Sequence, residues 1–260
     1  MKKRVIISVL VAASSVVSSM AFAGQPDLPQ PNSHLSHATA HQPRFSSIDS
    51  MGNLNITIKP VTRSSHVSYS IKQPGTVYAH IRNHILYLRQ TDGAKNAADV
   101  TLHMNRLDNL SVYGNANITA NNIKSNALSI NTTSNGNIML NGMMTLNNLF
   151  VAGNGNVSLR WVNGADISIY SKGNSHITIA GNVGKMLAKL SGHSFLNAKY
   201  LRTKQTWIKT TNFAQAQILS SATVQAYAHD QSNVYYYKTP QLINRIDRNA
   251  GNTLQLGWNG

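Results

Sequence analysis

The residues best placed to do chemistry are basic. Between Ile167 and His229 there is no acidic residue, while that span carries Lys172, Lys185, Lys189, Lys199, Arg202, Lys204 and Lys209. Lys189 and Lys209 are separated by one interval, and Lys185 and Lys204 by nearly the same one. A chain that repeats at that interval sets such residues in columns, and a column of cations focuses a positive field that attracts polyanions. Lys185, Lys189, Lys199, Arg202, Lys204 and Lys209 are therefore the candidate ligand-binding residues. The ligand classes that fit are acidic glycans, lipopolysaccharide phosphates, heparin-like host polysaccharides and released nucleic acid, although no specific nucleic-acid motif is present. The plain alternative is basicity that only keeps an exported chain in solution. Trp161, Tyr170, Trp207 and Tyr227 either stack on sugars or fill the core.

Other chemistries find less support. No G-x-S-x-G elbow occurs, and Ser191-Gly192-His193-Ser194 reads as a tight corner rather than a nucleophile with its base. All eight acidic residues are Asp. Asp49, Asp92, Asp99, Asp108, Asp166, Asp230 and Asp247 are scattered, whereas a glycosidase needs two carboxylates within roughly 5–10 Å. A lyase that uses a basic residue stays open. His103, His176, His193 and His229 stand singly, although His176 and His193 fall at nearly equivalent corners of neighbouring units. A structural zinc site wants four ligands, so no metal site is predicted. The calcium-binding glycine–aspartate nonapeptide is missing as well. There is no Cys, which removes thiol chemistry and disulfides. Neither a cofactor nor an enzyme activity is expected.

The elements that must position these side chains are repeats. Leu110, Leu128, Leu149, Ile167, Leu187, Ile208 and Val224 open seven successive apolar alternations. Their unit of roughly 20 residues is the length of one coil in stacked-repeat folds. Period-two alternation means strands with one buried side. Each unit breaks at GNAN, SNGN, GNGN, KGNSH, SGHS or HDQSN, where Gly and Asn tolerate left-handed backbone. Repeated bends at one place predict the coils of a parallel β-helix, stacked about 4.8 Å apart. A β-sandwich is the alternative, but it does not explain a shared corner. Asn117, Asn137, Asn156 and His176 precede Ile118, Ile138, Val157 and Ile177 and should stack as a ladder. After Ile208 the pattern weakens, because IKTTNFAQAQIL has no glycine.

The flanks follow from composition. Lys2, Lys3 and Arg4, the apolar run Val5 to Val17 and Ala21-Phe22-Ala23 read as a secretory signal peptide over 1–23. Residues 24–44 hold four prolines with His34, His37 and His41 among polar residues, and predict a disordered linker whose histidines are a solvated tail or a metal-binding trio. Residues 45–104 alternate without the longer period and predict antiparallel strands, with Asn83-His84 as a hairpin turn, that cap the first coil. The coils run over 105–238, and 239–256 form a last strand pair around Asn249 to Asn252. The formal net charge is +15, and signal cleavage removes only three of the 23 basic residues and none of the 8 acidic ones. No stretch after the signal is long and apolar enough to span a membrane.

A signal peptide, a strand-rich start with a hairpin, then GNANI, NGNIML, GNGNVSL, GNSHITI and a closing SNVYYYKTP resemble the head GIN domain family, named for a putative auto-transporter adhesin, over about 45–256. The chain departs from that pattern by using Asn where the family commonly has Gly-Ser-Gly, and by losing the turn glycine at Phe213 to Gln217. The resemblance implies a right-handed β-helix in the bacterial envelope and brings no established activity. No translocator barrel is expected, because lipid-facing strands of about ten residues are missing. The expected fold is all-β, a single-stranded right-handed parallel β-helix with N-terminal antiparallel capping strands. The expected function is non-enzymatic binding of a polyanionic or glycan surface by a protein of the periplasm, outer membrane or exterior. A polysaccharide lyase and a periplasmic spacer are the alternatives.

Overall fold

A computed structural model describes residues 44–61, 67–73, 75–91, 93–94 and 96–257. The signal peptide and the His34, His37 and His41 segment lie outside them. The described residues form sixteen strands and no helix. From β8 (Asn117–Ser134) through β9 (Asn137–Gly153), β10 (Asn156–Gly173), β11 (His176–Leu190), β12 (Phe195–Thr210) and β13 (Gln215–His229), each long strand bends around corners and pairs in parallel with the next. The stacked coils form a β-solenoid of three faces. Face A stacks 129–134, 148–153, 168–173, 187–190, 207–210 and 225–228. Face B stacks 118–120, 137–140, 156–159, 176–179, 195–198 and 215–218. Face C stacks 123–125, 142–145, 162–164, 181–183, 201–203 and 219–220. Continuous parallel ladders exclude the β-sandwich.

Alternation decides what each face buries. On face A the inner column is Leu110, Ile130, Leu149, Ile169, Ala188, Ile208 and Ala226, each 2% exposed or less. On face B it is Ile118, Ile138, Val157, Ile177, Leu196, Ala216 and Val234. Burying each large aliphatic side chain contributes about 1.5–3 kcal/mol. The seven apolar residues chosen from sequence do not share one column. Leu110, Leu149 and Ile208 do, Ile167 and Val224 line another buried column, and Leu187 points outward, 36% exposed. The face A column recurs at a nearly constant interval, so the structural repeat is more regular than the apolar pattern suggests.

The corner between faces A and B is built from stacked amides. Asn137 Nδ2 donates to Asn117 Oδ1 at 3.0 Å, and Asn156 Nδ2 to Asn137 Oδ1 at 2.9 Å. The ladder extends beyond its predicted start: Asn117 donates to Asn55 at 3.3 Å, and Asn55 to Asp99 at 3.0 Å. A second ladder runs beside it through Asn115, Asn135, Asn154 and Asn174, with steps of 3.2, 3.1 and 3.0 Å. Both pass into rings: His176 lies 4.7 Å from Phe195, and His193 stacks 4.7 Å over Phe213, and the first ladder resumes where Asn252 donates to Asn233 at 3.3 Å. Between the ladders runs a buried column of Ala116, Gly136, Gly155, Ser175, Ser194, Ala214, Ser232 and Gly251. Ser194 Oγ donates to Ser191 O at 2.7 Å, which accounts for the Ser191–Ser194 motif as a corner. The array keeps its pairing after Ile208. Where Gly173 and Gly192 hold φ +96° and +76°, Asn212, Asp230 and Asn249 hold 62°, 61° and 56°, so the missing glycine is replaced rather than lost.

The N-terminal region departs from expectation. β1 (Ser47–Gly52) and β2 (Leu54–Lys59) form a coil in parallel register with β7 (Asn109–Gly114) and β8. β5 (Ile85–Gln90) and β6 (Ala98–His103) add a further coil, also parallel, on the other side of β1 and β2. The first coil in sequence is thus the second in space. Among the described residues only β3 (Ser68–Ile71), on β6, and β4 (Val77–Arg82), on β5, are antiparallel. They cover the open edge, with Asn83 and His84 at φ 51° and 62° making the predicted hairpin. At the other end β14 (Asn233–Tyr237) stacks on β13, β15 (Leu242–Arg248) on face A of β13, and β16 (Asn252–Leu256) on β14, all in parallel. The expected last strand pair is therefore two sides of one final coil. Two of its inner positions are charged: Arg245 follows Ala226 and Asp247 follows Ala228 in register. Asp247 accepts from Thr253 Oγ1 at 2.6 Å and Arg245 donates to Thr253 O at 3.2 Å. Charges at core positions stop a further strand from adding.

A Cβ on Gly136 would lie 1.8 Å from Ala116 O. Gly136→Ala should destabilise the fold by about 2–4 kcal/mol in urea unfolding, while an unchanged midpoint would show that the corners are loosely spaced. The double change Arg245→Leu with Asp247→Leu should produce self-association that light scattering detects as a mass rising with concentration. A mass that does not change would remove those charges as guards of the end.

Candidate ligand-binding face

The outward positions of face A form a grid whose rows are coils. One column reads Asn131, Phe150, Tyr170, Lys189, Lys209, Tyr227 and Ile246. The column beside it reads Asn148, Ser168, Leu187, Trp207, Gln225 and Asn244. Strand alternation alone places them outside, because Leu149, Ile169, Ala188, Ile208 and Ala226 between them are buried. Phe150 and Tyr170 stack at 5.3 Å with planes 4° apart. Trp207 and Tyr227 lie 5.6 Å apart. Lys172 Nζ sits 5.8 Å over the Phe150 ring and Lys189 Nζ 5.9 Å over Trp207. The result is an outward surface on which rings lie beside ammonium groups. Two hollows open on it. One of about 280 Å³ lies among Lys185, Leu187, Gln205, Trp207 and Gln225. The other, of about 360 Å³, lies among Lys209, Tyr227, His229, Ile246 and Arg248.

The six basic residues singled out from sequence divide between two sides. Lys189 and Lys209 are register partners, as their spacing predicts. Lys185 lies at the edge of the same face, beside Asp166 and Gln205. It does not pair with Lys204, because a register shift between Thr178 and Ala180 moves the alignment by one position. Lys199, Arg202 and Lys204 lie beyond face B: Lys199 Nζ sits 5.0 Å over Tyr200, and Arg202 is flanked by Asn182 and Leu219 on face C. Phe150 was not among the sequence candidates. Counting one coil back from Tyr170 would have found it, because the signal is the period and not the residue type.

The titratable groups nearby serve the corners. His229 Nδ1 is 2.8 Å from Asp230 Oδ1. That contact, helped by the Asn212 N–H and the Asn249 amide and opposed by burial, holds the Asp230 carboxyl below its ordinary range. His176 and His193 occupy different ladders, each against a Phe ring, and do not share a coordination point. Among the described residues no group of three His or Asp side chains is placed to hold a metal.

Solved structures share this architecture. A crystal structure named as a putative lipid binding protein from Parabacteroides distasonis ATCC 8503 superposes with a TM-score of 0.72 at 13% identity, covering 82% of this chain and 93% of that one. One named as a putative adhesin from Parabacteroides merdae ATCC 43184 gives 0.67 at 18% identity, over 82% and 92%. Another putative adhesin from Parabacteroides distasonis ATCC 8503 gives 0.66 at 18%, over 82% and 93%. At these identities the likeness is one of fold. No curated protein matches the chain. Residues 44–240 match the family model described as "Putative auto-transporter adhesin, head GIN domain".

Like charges directly opposite on paired strands are destabilising. Lys209→Gln should therefore raise stability slightly, by about 0.2–0.5 kcal/mol at low salt. The gain should vanish near about 0.5 M salt, where screening acts within a few ångströms. Thermal unfolding at both salt concentrations checks this, and a loss of stability at low salt would contradict it.

Proposed function

This chain belongs to the family described as "Putative auto-transporter adhesin, head GIN domain", and on that premise we propose that it is an exported, non-enzymatic binding protein that recognises an acidic glycan through face A. The observation that carries the reading is the in-register column Phe150, Tyr170, Lys189, Lys209 and Tyr227, with Trp207 beside it. Sugar rings present C–H faces that settle on aromatic rings, and their carboxylates or sulfates meet ammonium groups. The column spans four coil steps, about 19 Å at the strand spacing, which matches a few sugar units laid along the helix axis. A repeated coil suits a repeated ligand.

The carboxylates support binding over catalysis. Asp49 pairs with Arg89, Asp99 with Lys72, Asp108 with Arg106 and Asp230 with His229. Asp247 is committed to Thr253. These acids hold strands and corners together. Asp49 lies further along the outward column of Phe150 and Tyr170, paired to Arg89, and Asp166 is exposed beside Lys185 at the edge of the grid; the two stand four coil steps apart, about 19 Å at the strand spacing, too far to act as a carboxylate pair. Among the described residues no helix is long and apolar enough to cross a membrane, and the signal peptide read from residues 1–23 supports an envelope or external location.

The test is a panel of acidic and neutral glycans titrated with salt. Lys189→Gln with Lys209→Gln should weaken acidic-glycan binding roughly three- to thirtyfold, as two exposed ion pairs of up to about 1 kcal/mol each allow. Tyr170→Ala should weaken acidic and neutral sugars alike. Unchanged binding by the double Gln variant at low and high salt would sink the proposal, and release of cleaved product from an acidic polysaccharide would replace it with a lyase.

A further inference from the structure

The corner between faces B and C carries a second feature that face A does not explain. A groove of about 700 Å³ runs across four coils, with Met143, Trp161, Tyr200, Arg160, Arg202 and Asn182 among its lining. Trp161 is 70% exposed, Met143 61% and Tyr200 53%. Trp161 also has φ +65°. At this corner Asn122 takes φ 60°, and Gly142 and Gly181 lie at 151° and 149°. Those residue types suit left-handed backbone, whereas a bulky side chain there costs about 1–2 kcal/mol. Neither backbone preference nor burial accounts for a tryptophan in this place, and such conflicts gather where a ligand is bound.

The groove has the shape of a slot. Val162, which follows Trp161, pairs with Gly181, and Tyr200 pairs with Ala180. The two aromatic residues thus stand two coil steps apart, about 9.6 Å at the strand spacing, with only Ala180 and Gly181 between them. The floor cannot easily fill in, because a Cβ on Gly181 would lie 1.9 Å from Val162 O. A ring sandwiched between two aromatic faces needs roughly this separation when its own faces carry C–H bonds. Asn163, Asn182 and Arg202 form one in-register column along the rim. Arg160 and Arg202 are both exposed, and no carboxylate is among the groove's lining. Guanidinium groups take planar oxyanions in a forked geometry, and amides take hydroxyls.

We infer that this slot is a binding site for a single acidic sugar residue, a pyranose held between Trp161 and Tyr200 with its anionic substituent on Arg160 and Arg202. The volume lies within the range of small-ligand sites, and the charge selects an anionic sugar over a neutral one. The site is separate from face A and does not rest on it.

The experiment uses the chain with Trp207→Phe and Trp258→Phe, which leaves Trp161 as the sole tryptophan. The probes are a galacturonate tetramer, a sulfated galactose tetramer and a neutral galactose tetramer. At least one acidic probe should shift Trp161 emission saturably, and the neutral tetramer should bind at least tenfold more weakly. Arg202→Gln should weaken the acidic probe at least tenfold. Trp161→Gly, which relieves the left-handed strain and so keeps the fold by circular dichroism, should abolish binding measured by calorimetry. Lys189→Gln with Lys209→Gln should leave the Trp161 response in place, which separates this site from face A. A silent Trp161, equal binding of the neutral tetramer, or an Arg202→Gln variant that binds as well as its parent would overturn the inference. A response abolished by the face A lysines but not by Arg202 would assign the ligand to face A alone.

Discussion

The structure depends on one constraint: each coil must present the same backbone groups to the next at a fixed spacing of about 4.8 Å. At the A–B corner this requirement is met by hydrogen bonds such as Asn156 N to Gly136 O and Phe195 N to Ser175 O, at 3.1 and 2.8 Å. This corner leaves little room for variety. Inner positions there are Gly, Ala or Ser, and outer positions are Asn stacked on Asn or a ring stacked on a ring. An amide suits this role because its donor meets the acceptor of an identical neighbour, so one residue type satisfies itself indefinitely.

A stack that satisfies itself also has no natural end, and the two ends solve that problem differently. At the N-terminal end the chain reverses, and β3 and β4 lie antiparallel on the last coil. A parallel edge is thereby replaced by one with a different hydrogen-bond pattern. At the C-terminal end the strands stay parallel, but Arg245 and Asp247 occupy positions that are apolar one coil earlier. Polar groups that would have to be buried by any added coil make that addition unfavourable.

The same register that builds the core also composes the surface. Side chains one unit apart in sequence become neighbours across a strand pair, so rings and charges that look scattered gather into surfaces. Face A collects Phe150, Tyr170, Lys189, Lys209 and Tyr227, and the B–C corner collects Trp161, Tyr200 and Arg202. Lys189 and Lys209 repel one another across the ladder, and Trp161 sits in backbone better suited to Asn or Gly. Both are local costs to folding set at the surface rather than in the core, which is the pattern expected of residues kept for a ligand.

By itself the sequence determined the β-helix, the glycine and asparagine corners, the first Asn ladder and the Asn83-His84 hairpin. All of these are local: they need only period two, a recurring unit one coil long and the tolerance of Gly and Asn for left-handed backbone. The Lys189 and Lys209 pairing was legible for the same reason. Tertiary structure decided the rest. Sequence order cannot show that β1 and β2 slot between β5–β6 and β7–β8, because that arrangement is made by contacts between segments far apart in the chain. Nor can spacing show that Lys185 meets Gln205, or that Lys199, Arg202 and Lys204 leave the face of Lys189, because a shift of one position at a corner realigns every column after it. In a stacked fold the period selects the architecture, and the irregularities within it select which side chains meet.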